Sequence, residues 1–285
     1  MGGEHQVGTL PGVVVFTDEN GYFRRMEFTG IRYETKARRA TITLDRPEKR
    51  NALDDRMIRE LTTAFVAAGK DQSVKAVVLE ANGPAFCAGA DLEYLNQMAS
   101  YDLEENRADS GRLANLFRSI YELRKPVIAV VNGPALAGGC GLAAVCDFIL
   151  ASEEKARFGY TEVRIGFIPA IVLIFLVKRV GEGRAREMVL RGSILSASDA
   201  HNAGLVSKVV PEALLHQAEN DLVEELLSEN SSVAMGLCKE MLAKLNGMNL
   251  MDSLSFASNM NAAARMTPDC KEGVASFLRK EKPRW

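Results

Sequence analysis

The chain has 285 residues, a net charge of −2, and 47% apolar against 25% charged residues, enough for one large globular domain or a core with a smaller appendage. The near-even charge leaves no electrostatic footprint for nucleic acid or an anionic membrane. The longest apolar stretch, Ile168 to Val177, is interrupted by Pro169 and is about half of the ~20 residues a membrane span needs. The five cysteines are an odd number without a CxxC pair, which argues for free thiols in a reducing, cytoplasmic setting rather than a disulfide frame or a zinc site.

Residues 1–25 read as a tail or tag-like segment with no part in the fold; their one apolar run, Val13 to Phe16, is too short for a secretory signal. A core is expected over 26–210. Ala40 to Leu44 reads as a strand ended by Arg46-Pro47, and Asn51 to Asp55 opens a helix that puts Met57, Ile58, Leu61 and Phe65 on one face. Val74 to Leu79 is the next strand. A helix carrying Leu113, Leu116, Phe117, Ile120 and Leu123 follows, and Pro126 stops it and starts another strand. A small-residue helix over about 138–145 and a strand over 147–151 come next. Beyond 180 the pattern turns mostly helical: 181–190, 197–203, a last strand over 205–210, then amphipathic helices over about 211–228, 231–246, 249–265 and after Thr267-Pro268-Asp269. The expected fold is α/β, a core wound from stacked ββα units, with a helical region over 211–285.

One tetrapeptide occurs twice, fifty residues apart: Asn82-Gly83-Pro84-Ala85 and Asn132-Gly133-Pro134-Ala135, each closing an apolar strand. Glycine-rich backbone follows each copy, Phe86 to Leu92 and Leu136 to Leu142. Exposed amides from two such loops, brought together, make a site for developing negative charge.

Other chemistries find little support. His5, His201 and His216 are the only histidines, and none lies in a functional-looking loop. No GxSxG or HExxH is present, so carboxylates are the acid–base groups of choice and no metal is expected. Gly139-Cys140-Gly141-Leu142-Ala143-Ala144 fits a GxGxxA dinucleotide fingerprint, with Glu162 about 20 residues on. Glu162, however, follows Arg157-Phe158-Gly159-Tyr160 instead of ending a second apolar strand, and NAD binding is set aside.

Taken together, Pro126 to Asp147, Phe158-Gly159-x-x-Glu162, Phe86 to Leu92, Arg46 to Leu53 and Thr267 to Gly273 resemble the crotonase superfamily of enoyl-CoA hydratases and isomerases, over about Tyr33 to Trp285. The resemblance implies a crotonase-like spiral core and a C-terminal oligomerisation region giving a homotrimer or homohexamer. It implies an acyl-CoA thioester as substrate, coenzyme A being part of that substrate, and no other cofactor. The amides of Ala90 and Gly138 would hold the thioester oxygen and Glu162 would handle the proton. Lys49 and Ala52 would meet the nucleotide end of CoA, while Ala88, Asp91 and Leu92 would line its path. The donors do not fall at matching offsets in the two copies, so the repeat reads as similar turns rather than a duplicated site.

Two departures stand out. Family hydratases carry a second glutamate where this chain has Gly141, and Gly166-Phe167-Ile168-Pro169-Ala170-Ile171-Val172 replaces a glycine-rich run. Both are similar to a subgroup of methylglutaconyl-CoA and related hydratases, and Gly141 is expected to make room for a bulkier acyl group. Asp147, the nearest acid, reads as structural. Hydration of the 2,3 double bond of an enoyl-CoA is the leading expectation. A Δ3,Δ2-enoyl-CoA isomerase using one glutamate, or a non-catalytic binding protein of the same fold, remains open.

Overall fold

The computed structural model describes residues 13–17, 23–283 and 285. Strands β1 (Val13–Thr17) and β2 (Phe23–Glu27) form an antiparallel hairpin. Part of the segment expected to be a tail is therefore strand; positions 1–12 and 18–22 of it lie outside the described residues.

The core runs β3 (Ile31–Lys36), β4 (Arg39–Leu44), α1 (Asp55–Lys70), β5 (Ala76–Ala81), α2 (Leu92–Met98), α3 (Leu103–Tyr121), β6 (Val127–Val131), β7 (Pro134–Leu136), α4 (Gly138–Ala144), β8 (Phe148–Ser152), β9 (Arg157–Gly159), α5 (Ala170–Arg191), β10 (Ile194–Ser196), α6 (Ala197–Asn202) and β11 (Lys208–Val210). Helices α7 (Leu215–Glu229), α8 (Ser232–Leu245), α9 (Leu250–Met266) and α10 (Pro268–Arg279) follow. Six strands form one sheet in the order β11-β8-β6-β5-β4-β3, parallel except for β3. A smaller sheet has the order β10-β9-β7. The units β6–β7–α4 and β8–β9–α5 thus each send a first strand to the large sheet and a second to the small one.

The strands of the large sheet are near-continuous apolar runs because both of its faces are covered. Along β5 the period of two sends Val77 and Leu79 into the main core with Leu61, Phe65 and Phe117, and Val78 to the opposite face with Leu215, Val223 and Leu226 of α7. Asp54 caps α1, its carboxylate accepting from the Met57 amide at 2.8 Å, and the predicted apolar face of that helix is buried. The run from Ile168, read as interrupted by Pro169, instead turns helical directly after that proline, which stands at the helix cap where its missing N–H has no cost. Gly181, at φ 76°, breaks α5 in two, so the predicted helix over 181–190 is its second half.

Asparagine side chains join the turns at the strand ends. Asn51 Nδ2 donates to Asn82 O and Ala85 O at 2.9 Å, Asn82 Nδ2 donates to Asp45 at 2.8 Å, and Asn132 Nδ2 donates to Ala81 O at 3.0 Å and Gly83 O at 3.1 Å. Each turn is held by its neighbour. Asn51 is fully buried at φ 55°, a left-handed conformation that asparagine tolerates well, and its Oδ1 accepts from the Arg46 amide at 2.8 Å. Asn51→Ala leaves two carbonyls and one amide without partners, and urea denaturation should show a loss of about 3 kcal/mol or more.

Candidate active site

The two glycine-rich loops meet through backbone pairing. Cys87 bridges Ala135 of β7: its amide donates to Pro134 O at 3.1 Å and its carbonyl accepts from Leu136 N at 2.9 Å. Three residues beyond that bridge on each side lie Ala90 and Gly138. Counted from Asn82 and Asn132 the donors sit eight and six residues on, an offset that hid their equivalence; the bridge shows that the first loop is two residues longer before the pairing. The expectation that only the turns are alike is corrected on this point: the two proposed donors occupy matching places.

A second bridge aims the first amide. Leu53 N donates to Gly89 O at 2.7 Å and Asp91 N donates to Leu53 O at 2.9 Å. In such a parallel bridge the residue between, Ala90, turns its own N–H away from the partner strand. Among the described residues that amide donates to no group, and neither does that of Gly138, the first residue of α4, where helix geometry offers no acceptor. The loops are in contact here. A Cβ added to Gly89 would lie 3.6 Å from Gly138 N, and one on Gly139 would lie 2.2 Å from Cys87 O. Ala137 turns the chain from β7 into α4 at φ 49° and ψ −124°, a conformation L residues avoid, at a cost of about 1–3 kcal/mol. The α4 dipole adds positive potential at the same end.

Glu162 follows β9, which pairs with β7 so that Leu136 faces Gly159; the Ala137 amide donates to Gly159 O at 2.7 Å. Glu162 opens a short 3₁₀ turn three residues later and is 7% exposed. Its Oε2 is buried without a hydrogen-bond partner. Burial pushes its carboxyl above the ordinary value, opposed by its own backbone amide.

The other predicted positions divide. Lys49 is exposed and pairs with Glu93 at 2.6 Å, which raises its pKa. Ala88 is half-buried and its amide donates to Arg50 O at 3.0 Å, while Leu92 is exposed. Ala52 is buried, and its carbonyl accepts from Arg46 at 3.0 Å. Asp91, expected to line the CoA path, uses its side chain within the protein. Its carboxylate caps α2, accepting from Glu93 N at 2.9 Å, and meets Arg46 at 3.2 Å, so both oxygens are engaged. Those amides, Arg46 and Lys49 outweigh burial and hold its pKa down. An Asp followed by Leu-Glu-Tyr is a helix-start signal that the sequence reading passed over.

Asp147 is structural as expected, accepting from Val127 N at 2.7 Å and pairing with Lys239 at 2.5 Å. His201 Nδ1 meets Val206 O at 2.8 Å. His216 pairs with Glu219 on α7, across the sheet from the core that holds α4. Glu80, His216 and Glu219 offer ligand atoms within 4.8 Å of one another, but Arg39, 2.9 Å from Glu219, already supplies positive charge there.

Gly141 is the largest revision. A Cβ there would lie 2.2 Å from Val172 Cγ1 and 3.3 Å from Phe117 Cε1. Val172, on the first turn of α5, is 3% exposed. The space beside Gly141 is therefore filled from α5, and the expected room for a bulkier acyl group is not there. Of the apolar run expected to reshape an acyl pocket, Phe167 and Ile168 are exposed while Val172 enters the core. Gly141→Glu alone should lower the melting temperature sharply, because overpacking costs about 1–3 kcal/mol before the charge is counted. Gly141→Glu with Val172→Ala should recover part of that loss.

The sequence model of the family described as "Enoyl-CoA hydratase/isomerase" matches residues 34–285. A Thermus thermophilus protein named "Putative enoyl-CoA hydratase" is 42% identical over 246 residues, covering 86% of this chain and 96% of that one. The mitochondrial enoyl-CoA hydratase of Pongo abelii is 37% identical, covering 85% of this chain and 81% of that one. The crystal structure of an enoyl-CoA hydratase from Mycobacterium smegmatis superposes with a TM-score of 0.85 at 33% identity, covering 90% of this chain and 99% of that one. The fold is that of the crotonases, and the chain belongs to the enoyl-CoA hydratase/isomerase family.

Proposed function

We propose that this chain hydrates the 2,3 double bond of an enoyl-CoA thioester, with the carbonyl oxygen held by the amides of Ala90 and Gly138 and with Glu162 as the one carboxylate that moves the proton. The observation that carries the reading is the pair of unengaged amides, three residues beyond a shared bridge, together with a buried carboxylate with an orphaned oxygen three residues beyond the strand paired with β7.

Addition of water at C3 places negative charge on the thioester oxygen as the enolate forms. Preorganised donors at that oxygen act in the transition state more than in the ground state, each contributing roughly 3–4 kcal/mol. Glu162, ionised, takes a proton from the attacking water and returns it to C2, so that one water is added and the carboxylate is regenerated. Coenzyme A belongs to the substrate, and the chemistry needs no other cofactor. Lys49 is an exposed cation four residues before Leu53, the bridge partner of Ala90. A phosphate of CoA would displace Glu93 as its partner.

A homo-oligomer in the cytoplasm is the assembly state we propose. Helix α9 buries none of its residues, and Leu250, Met251 and Leu254 on it, with Phe277 and Leu278 on α10, are all more than half exposed. No helix among the described residues is long and apolar enough to cross a membrane. Light scattering after size exclusion should give a mass of three or six chains. Phe277→Asp with Leu254→Asp should shift it toward one.

Glu162→Gln tests the catalytic assignment. Loss of absorbance from the conjugated thioester should slow by about 10²-fold or more, and near-normal turnover would refute the role. For the native enzyme kcat/KM should fall as the pH drops through the raised pKa of Glu162, because the base must be ionised. Stability should move the other way. A raised carboxyl pKa makes ionisation costly to the folded state, a cost complete above the folded pKa and absent below the unfolded one. Glu162→Gln should therefore melt higher than the native chain at neutral pH, and the difference should close in acid.

A further inference from the structure

We infer that Arg46 is a positioning residue for this reaction, setting the direction of the Ala90 amide by clamping both strands of the bridge that aims it. The inference rests on the assignment of Ala90 as a donor to the thioester oxygen.

Arg46 is 9% exposed, and its guanidinium has partners on both sides of the Leu53–Ala90 bridge. On the Leu53 side, Nη1 donates to Ala52 O at 3.0 Å and meets Asp54 at 2.7 Å. On the Ala90 side, Nη2 donates to Asp91 Oδ2 at 3.2 Å. The flanking residues of both bridge partners are thus tied to one rigid, planar cation. Asp54 and Asp91 are also the caps of α1 and α2, so the same group fixes the two helix starts relative to each other. Arg46 is itself anchored, its amide donating to Asn51 Oδ1 at 2.8 Å.

The need for such a clamp lies at Gly89, which precedes Ala90 at φ +97° and has no side chain to restrict it. The plane of the peptide carrying the Ala90 N–H rotates with the Gly89 backbone. Hydrogen-bond strength falls steeply as the donor angle closes toward 120°, so a small rotation weakens the contact to the enolate oxygen while the chain stays folded. A lysine at 46 offers a point charge that cannot span Asp54, Ala52 O and Asp91 at once.

The test separates positioning from folding. An arylacryloyl-CoA thioester absorbs at longer wavelength when its carbonyl oxygen is polarised, and so reports the oxyanion contact directly. Arg46→Gln, assayed well below its melting temperature, should bind this probe with an affinity within about threefold of the native enzyme. It should lose most of the red shift and lower kcat by about 10²-fold, the cost of one missing oxyanion donor. Arg46→Lys should recover only a minor part of both. If Arg46→Gln does not fold, Asp91→Asn keeps an acceptor for the α2 cap while removing the ion pair, and should show a smaller loss of the same sign. A native red shift with native kcat in the folded variant overturns the inference. A native enzyme that binds the probe without any red shift instead refutes the assignment of Ala90 and Gly138 as donors.

Discussion

The Cys87 backbone lies directly against Gly139 on the first turn of α4, and the site depends on that contact. A single methyl group at 139 would sit 2.2 Å from the Cys87 carbonyl oxygen. With no side chain there, the two loops can pair through Cys87 and Ala135, and the pairing carries Ala90 and Gly138 to corresponding places. The parallel strands, the joined asparagine turns and the burial of Phe86 all serve to bring those loops to one spot. Donors held in this way need no reorganisation as charge develops.

Features that oppose stability gather in the same place. Ala137 occupies a left-handed conformation, and among the described residues Glu162 buries a carboxylate oxygen without a partner and two amides make no internal hydrogen bond. Each would be removed by selection for stability alone. The surrounding core carries them: Phe117, Leu142, Phe158 and Tyr160 are completely buried. Three thiols, Cys87, Cys140 and Cys146, are buried with them, and burial pushes each up to about 12, so none is a ready nucleophile.

Most strands of the large sheet and most helices were legible in the sequence because their apolar residues repeat with the right period; β3 and the short α2 were not. Val77 to Leu79 and Val127 to Val131 read as strands without help, and α1 shows its buried face. The small sheet was not legible. Strands β7, β9 and β10 are three residues each, too short for any period to show. The family motifs pointed to Ala90, Gly138 and Glu162. They could not show that Val172, thirty-one residues downstream, occupies the space beside Gly141, because that contact joins helices packed in three dimensions. Arg46 reads only as part of a turn and of a family motif, for nothing in Arg-Pro-Glu-Lys says that its guanidinium is buried between two capping carboxylates.

The unengaged amides of Ala90 and Gly138 also make the site observable. Ala90 is exposed and Gly138 half-buried, and neither N–H is locked into a strand or helix ladder. Their neighbours Leu53 and Asp91 have bonded amides. On the proposed reading, a thioester seated on Ala90 and Gly138 would take both amides out of exchange together. Occupancy would then be written into two amide resonances, independent of turnover and of any label on the substrate.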